Sequence, residues 1–129
     1  MARVPDSLRA HLLAPVHPGE PARVDRRGEA HNPICRDHVI LYLQLDGARI
    51  EAAGFRATGC PAAMAYASAA TEWLNGRELD SELATNLVAA LTDDHGDPGA
   101  ARRHALAMVE RCVSLCVAKA ARVESPRGG

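Results

Sequence analysis

The stretch from Val39 to Ala57, VILYLQLDGARIEAAGFRA, constrains this chain more than any other. Val39, Leu41, Leu43 and Leu45 alternate with other residues, the period of a strand with one buried face. Asp46-Gly47 then supplies the residue pair favoured in a two-residue type I′ hairpin loop. Such a loop pairs Leu45 with Ala48, and the same register carries Cys35 opposite Thr58, just short of Cys60. Two thiols far apart in sequence are therefore expected at one open end of a hairpin. Asp37 follows Cys35 by two positions, so if the strand starts that early both side chains leave it on the same face.

Pro61 suits the first turn of a helix running to about Asn75 and stopping at Gly76. Cys60 thus sits at a helix N-terminus, where the dipole and free N–H groups favour a thiolate. Ser81 is a plausible cap for a second helix through Leu91. The stretch LTDDHGDPG reads as turn, and a last helix is expected from about Ala100 to Val123. Ahead of the hairpin, a short helix fits Asp6–Leu13, Pro15, Pro18 and Pro21 follow, and an edge strand is expected around Ala22–Asp25. The whole, residues 1–129, reads as one α+β domain, with 1–20 and 124–129 expected to be flexible.

Composition excludes several classes of partner. A net charge of -1 leaves no electrostatic footprint for nucleic acid or an anionic membrane. No apolar leader follows Met1, since Pro5, Asp6 and Arg9 interrupt it, and no stretch suits a membrane span, so a cytoplasmic protein is expected. Aromatic residues make up only 3% of the chain, so the core must be built from Ala, Val and Leu. In a reducing compartment the 4 cysteines read first as thiols, metal ligands or catalytic groups. Cys35 and Cys60 with Asp37 make a good part of a metal site, since sulfur selects zinc, copper(I) or iron–sulfur clusters and a carboxylate can complete a tetrahedron. Two small buried hydrophobes, or a reactive disulfide between them, are the other readings of the same cysteines.

The residues around these groups, Asn32-Pro33-Ile34-Cys35-Arg36-Asp37 and Gly59-Cys60-Pro61-Ala62-Ala63-Met64-Ala65-Tyr66-Ala67-Ser68, with Gly76-Arg77 beyond, resemble the IscU/SufU/NifU-type iron–sulfur scaffold proteins. The resemblance extends from about Leu12 to Ala121. It implies a three-stranded antiparallel sheet with helices packed on it. It also implies a site of three cysteines plus an aspartate or histidine, holding a nascent [2Fe-2S] cluster or iron, or else zinc. The chain departs from the family pattern in several places. Arg36 stands where the family has glycine and Ala63 where it has serine. The opening tyrosine is not evident. Asp97-Pro98-Gly99-Ala100-Ala101 replaces a chaperone-recognition segment.

The family's last motif fits in two ways, and a site with no third protein ligand is the remaining alternative. One sets Arg102-Arg103-His104 on it and makes His104 the ligand; the other retains Cys112. On a helix starting near Ala100, Cys112 falls about two turns, roughly 11 Å, below the end and at the centre of the apolar stripe. His104 lies near the top, at the stripe's edge, and is the favoured ligand, with Arg36 and Arg103 flanking the site. Cys112 and Cys116 are expected in the core. The resemblance further implies a cysteine desulfurase and apo iron–sulfur acceptor proteins as partners, the chain acting as a monomer or weak homodimer. The leading function is therefore an iron–sulfur cluster scaffold or carrier, not an enzyme. The alternatives are a zinc-dependent sulfurtransferase of the SufU branch and a degenerate, metal-free binding module. Among the other histidines, His11, His17 and His95 are expected to be exposed, and His38 to point away from Asp37. Trp73 and Met108 are expected in the core or at an interface.

Overall fold

A computed structural model describes residues 6–32 and 36–121. Its elements run α1 (Asp6–Leu13), β1 (Arg26–Asn32), β2 (Asp37–Asp46), β3 (Arg49–Thr58), α2 (Pro61–Leu74), α3 (Leu83–His95) and α4 (Gly99–Ala121). The strands form an antiparallel sheet in the order β1-β2-β3, so the α+β class and the three-stranded sheet stand as expected. Among the described residues no helix is long and apolar enough to cross a membrane.

One face of the sheet carries the core. Val39, Leu41, Leu43, Ile50, Ala53 and Phe55 are buried beneath α2 and α4. The Ala-rich helix α2 is buried nearly all round, since small side chains let the sheet and the other helices approach it from several sides. On β1 the inward positions are Gly28 and Ala30. A Cβ built at Gly28 would lie 2.0 Å from the Cys112 carbonyl oxygen, so the α4 backbone rests directly on the strand there. This explains why the edge strand was expected too early, at Ala22–Asp25: a strand whose inner face is Gly and Ala carries no apolar alternation to read.

The hairpin register also differs from expectation. Asp46 pairs with Arg49, leaving Gly47-Ala48 as the loop, with Gly47 alone in the left-handed region at φ +64. A positive φ at the first loop position only is the pattern of a II′ turn, which needs just one glycine. Beyond that, the ladder passes from Leu45↔Ile50 to Gln44↔Ala52, skipping Glu51 as a bulge, and reaches His38↔Thr58. The bulge keeps Ile50 and Ala53 on the same buried face although three positions separate them. The shifted turn moves the ladder by two positions and the bulge by one more, and together they set His38, rather than Cys35, opposite Thr58.

Two helix boundaries move as well. Ser81 does not cap α3; the helix begins at Leu83 with Glu82 at the N-cap and no side-chain cap bond, and Asp80 Oδ1 accepts from Glu82 N at 2.9 Å in the turn ahead of it. The helix then runs through Thr92-Asp93-Asp94 to His95 and ends at Gly96, whose φ of +83 suits a glycine. Only the part after Gly96 is turn.

Within residues 6–20, Leu8 and His11 anchor α1 to the rest of the fold, while most of the other side chains are exposed. Leu8 is fully buried on α1. His11 and His95, expected to be exposed, are buried where α1 meets α2 and α3, their rings edge to face at 5.8 Å. Ser68 Oγ accepts from Val16 N and donates to His11 Nδ1, each at 2.7 Å, and His11 Nε2 faces Glu72 at 3.2 Å. Ser7 Oγ meets His95 Nδ1 at 2.7 Å. These hydrogen bonds make burial of both rings affordable. Beyond α1, Pro18-Gly19 runs beside β3 at Phe55, and the chain then crosses the sheet's outer face at Gly54, which lacks room for a side chain. The segment reaches Asp25, whose backbone N donates to Leu43 O, and Tyr42 is buried on the face it crosses.

Candidate metal centre

The site is built where β2 starts and β3 ends. One step beyond His38↔Thr58, Asp37 comes opposite Gly59. A Cβ at Gly59 would lie 2.4 Å from Asp37 Oδ1 and 2.8 Å from its Cα, and the residue's φ is +99. Only glycine meets both demands. The turn it makes presents Cys60, the N-cap of α2, whose N–H donates to Asp37 Oδ1 at 2.7 Å. The Asp37 carboxylate thus supplies the cap that the Cys60 side chain does not, and its charge lies where the helix dipole favours an anion.

From the opposite side, α4 brings in His104. Its Nε2–H donates to Asp37 Oδ2 at 2.9 Å, which fixes the tautomer, since a carboxylate only accepts. Asp37 itself is 1% exposed, with both carboxylate oxygens engaged. Ligand atoms of Asp37, Cys60 and His104 all lie within 4.8 Å of one another. One oxygen, one sulfur and one imidazole nitrogen are donors that zinc and iron both accept. Cys60 and His104 are partly exposed, so the cluster opens to the surface.

The other residues named from the sequence fall as follows. Cys35 lies outside the described residues. Arg36 is exposed, with its N–H closing a turn onto Asn32 O at 2.7 Å, and it adopts φ +60. That left-handed backbone gives a reason for a glycine at this position, and an arginine there carries strain. Arg103 is exposed on α4. Cys112 is fully buried, its thiol directed to Val39 O at 3.4 Å, and burial, with Cys116 and Glu29 nearby, pushes its pKa up to about 12. It is not among the residues that converge on Asp37. Cys116 and Met108 are buried too. Trp73 is partly buried with the Arg77 guanidinium 3.9 Å above its ring, and His17 is exposed. His38 points away from Asp37, to the outer face, and its Nε2 contacts the Glu29 carboxylate. That contact, with Arg27 beside it, holds the Glu29 carboxyl below its usual range. The sequence reading gave no role to Gly59 beyond the motif or to Glu29 and His31. Period-two alternation on β1 is the signal that would have grouped the last two with His38.

Comparison with known proteins bears on this geometry. The family model described as NifU-like N terminal domain matches residues 6–124. The chain is 33% identical over 78 residues to the "Iron-sulfur cluster assembly scaffold protein IscU 1" of Archaeoglobus fulgidus, covering 60% of this chain and 51% of that protein. It is 33% identical over 60 residues to the "Zinc-dependent sulfurtransferase SufU" of Bacillus subtilis, covering 46% and 41%. The chain thus spans about half the length, or less, of these curated relatives. Among solved structures, an N-terminal nitrogen-fixing NifU-like protein from Brucella abortus superposes with a TM-score of 0.72 at 15% identity, covering 92% of this chain and 94% of that one. A scaffold protein for the SUF system from Fervidobacterium islandicum gives 0.66 at 14%, covering 87% and 94%. At these identities the two structures speak for the fold.

Proposed function

The chain belongs to the NifU-like N-terminal domain family, and on that premise we propose that it is a scaffold or carrier that assembles an iron–sulfur cluster and passes it to acceptor proteins. The observation that carries this reading is the meeting of Asp37, Cys60 and His104 at one surface-facing point. Cys35, two residues before Asp37, is the second sulfur ligand in the proposal, and Cys112 is left as core. The cargo is a [2Fe-2S] cluster, for which two thiolates with an oxygen or nitrogen donor form a usable edge. Sulfur would come from a cysteine desulfurase and the finished cluster would leave to apo iron–sulfur proteins, as the scaffold names of the relatives suggest. The setting proposed is the cytoplasm, where thiols remain reduced.

Each residue has a distinct task. Cys60, partly exposed at the helix N-terminus, offers the sulfur that binds soft metal. Asp37 is a hard oxygen donor among softer ones, so it is the ligand proposed to let go first. Before cargo binds, its carboxylate accepts from Cys60 N–H and His104 Nε2–H, with lone pairs left over for a metal. For His104 to ligate through Nε2, the proton it gives Asp37 must leave to solvent or move to Nδ1 as the metal binds.

The second reading is a zinc-dependent sulfurtransferase. It is favoured by the likeness to SufU and by a donor set that is equally a zinc set. In that case one of its cysteines would accept sulfur from the desulfurase. One experiment separates the readings: anaerobic purification and reconstitution with iron and sulfide, followed by metal analysis and visible spectroscopy. About two irons per chain with charge-transfer bands support the scaffold. One colourless zinc that iron does not displace supports the sulfurtransferase, and no stoichiometric metal supports a metal-free module. Within the scaffold reading, Asp37→Ala should retain cargo but hand it to an acceptor more slowly, whereas Cys35→Ala and Cys60→Ala lose it. Loss of cargo from Asp37→Ala to the same extent would remove the release role.

A further inference from the structure

The outer face of the sheet carries a second group of ligating side chains. Gly28 and Ala30 turn toward the helices, so Glu29 and His31 turn outward, as does His38 between Asp37 and the buried Val39. The ladder sets His31 directly opposite His38. Side chains so paired have Cβ atoms about 4.5–5.5 Å apart. That spacing suits two imidazoles meeting one ion at metal–nitrogen distances of about 2.0–2.1 Å. The rings stand edge to face with centroids 5.9 Å apart, and His38 Nε2 already meets the Glu29 carboxylate. The three residues line an open depression together with Asn32, Arg36 and Asp37.

We propose that Glu29, His31 and His38 form a second, labile site for a first-row divalent metal ion on the outer face of the sheet. Two imidazole nitrogens and one carboxylate are a donor set for zinc or ferrous iron, with the remaining positions left to water. The side chains of His38 and Glu29 are 37% and 38% exposed, so an ion there exchanges with solvent. His38 and Glu29 are the settled pair. The exposed His31 ring completes the set by rotating from its edge-on position. Binding competes with the Arg27–Glu29 contact at 2.9 Å, which holds the affinity down. The site uses no sulfur and lies on the other face of β2 from Cys60 and His104, so it does not depend on how the inner centre is read.

The test uses the full apo chain with cobalt(II) and zinc as probes. Cobalt titration should show a tighter class with thiolate-to-metal charge transfer and a weaker class without it. Zinc competition against a chromophoric chelator should show the weaker class persisting in Cys60→Ala. In that background His31→Ala or His38→Ala should weaken it at least tenfold. In the unmodified chain, zinc beyond the first equivalent should shift the ring nitrogen resonances of His31 and His38, a readout that needs no variant. The proposal is overturned if the weaker class is missing, or if it is indifferent to both histidine substitutions. It is likewise overturned if those substitutions abolish the sulfur-containing class instead. A failure of Cys60→Ala to alter the charge-transfer class would count against the inner centre and leave the outer site standing.

Discussion

Gly59 and Asp37 occupy space that only one side chain can fill: a Cβ on Gly59 would fall 2.4 Å from the Asp37 carboxylate. The backbone closeness lets Cys60 N reach that carboxylate, so the end of β3 and the start of β2 are held together by an absent side chain as much as by a present one.

Gly59→Ala should therefore do two kinds of damage. The left-handed backbone at φ +99 costs an alanine about 1–2 kcal/mol, and displacement of buried Asp37 adds the loss of a charge-assisted hydrogen bond worth about 1.5–3 kcal/mol. We expect urea unfolding to show a loss of about 2–5 kcal/mol, with metal binding impaired in the protein that remains folded. A change below about 1 kcal/mol would mean the turn relaxes without cost.

Arg36 gives the opposite expectation. It holds φ +60 with an exposed side chain, so Arg36→Gly relieves strain and should stabilise the apo-protein by about 1 kcal/mol, offset in part by the greater freedom of glycine in the unfolded chain. Denaturant midpoints of the two proteins under matched conditions decide it. A destabilised variant would show that the arginine side chain makes a favourable contact outweighing its backbone strain.

Cys112 should resist thiol reagents. Its thiol is fully buried with its pKa raised to about 12, so at pH 8 it is neutral as well as inaccessible. We expect its labelling to follow global unfolding and to be indifferent to metal, whereas Cys60 labels in the native state and is protected by metal. Cys112→Ala should lower stability by about 1–3 kcal/mol and leave metal content unchanged. Rapid, metal-suppressed labelling of Cys112 would instead make it a ligand.

His95 couples α1 and α3 to pH. Its pKa is lowered from 6.5, chiefly by burial and then by His11, with Asp94 and Glu72 acting the other way. A lowered folded value means the unfolded chain binds the proton more readily. The stabilising contribution is thus complete above pH 6.5 and is lost as pH falls from there through the folded value. Melting temperature should drop on acidification below about pH 6.5, and His95→Gln should flatten that slope. An equal slope in the variant would place the titration elsewhere.

Legibility in the sequence follows where side chains carry the pattern. The hairpin was readable because Val39, Leu41 and Leu43 are large and alternate, and α2 because Pro61 and Gly76 bracket it. β1 was not, because α4 packs its backbone where Gly28 and Ala30 offer almost no side chain. The exact ladder was hidden by a turn at Gly47-Ala48 where Asp46-Gly47 was the stronger signal, and by the Glu51 bulge, which no residue type announces. The convergence of Asp37 with Cys60 was legible in outline even on the wrong register, since either pairing closes the same end of the hairpin. His104 was raised by the resemblance's last motif, and helix geometry served only to favour it over Cys112. The burial of His11 and His95 depends on α1 docking against Ser68, a contact between segments that local polarity cannot reveal.

The spacing of the three converging residues orders their arrival during synthesis. Cys60 follows Asp37 by 23 positions, so their bond can form as soon as the hairpin and the start of α2 leave the ribosome. His104 comes 67 positions after Asp37 and can dock only when α4 has been made. A nascent chain thus carries two of these donors before the third exists, and the helix that supplies the last one also closes the core. On the proposed ligand set, the docking of α4 that covers the sheet would also deliver the last donor, so a chain without α4 would lack it.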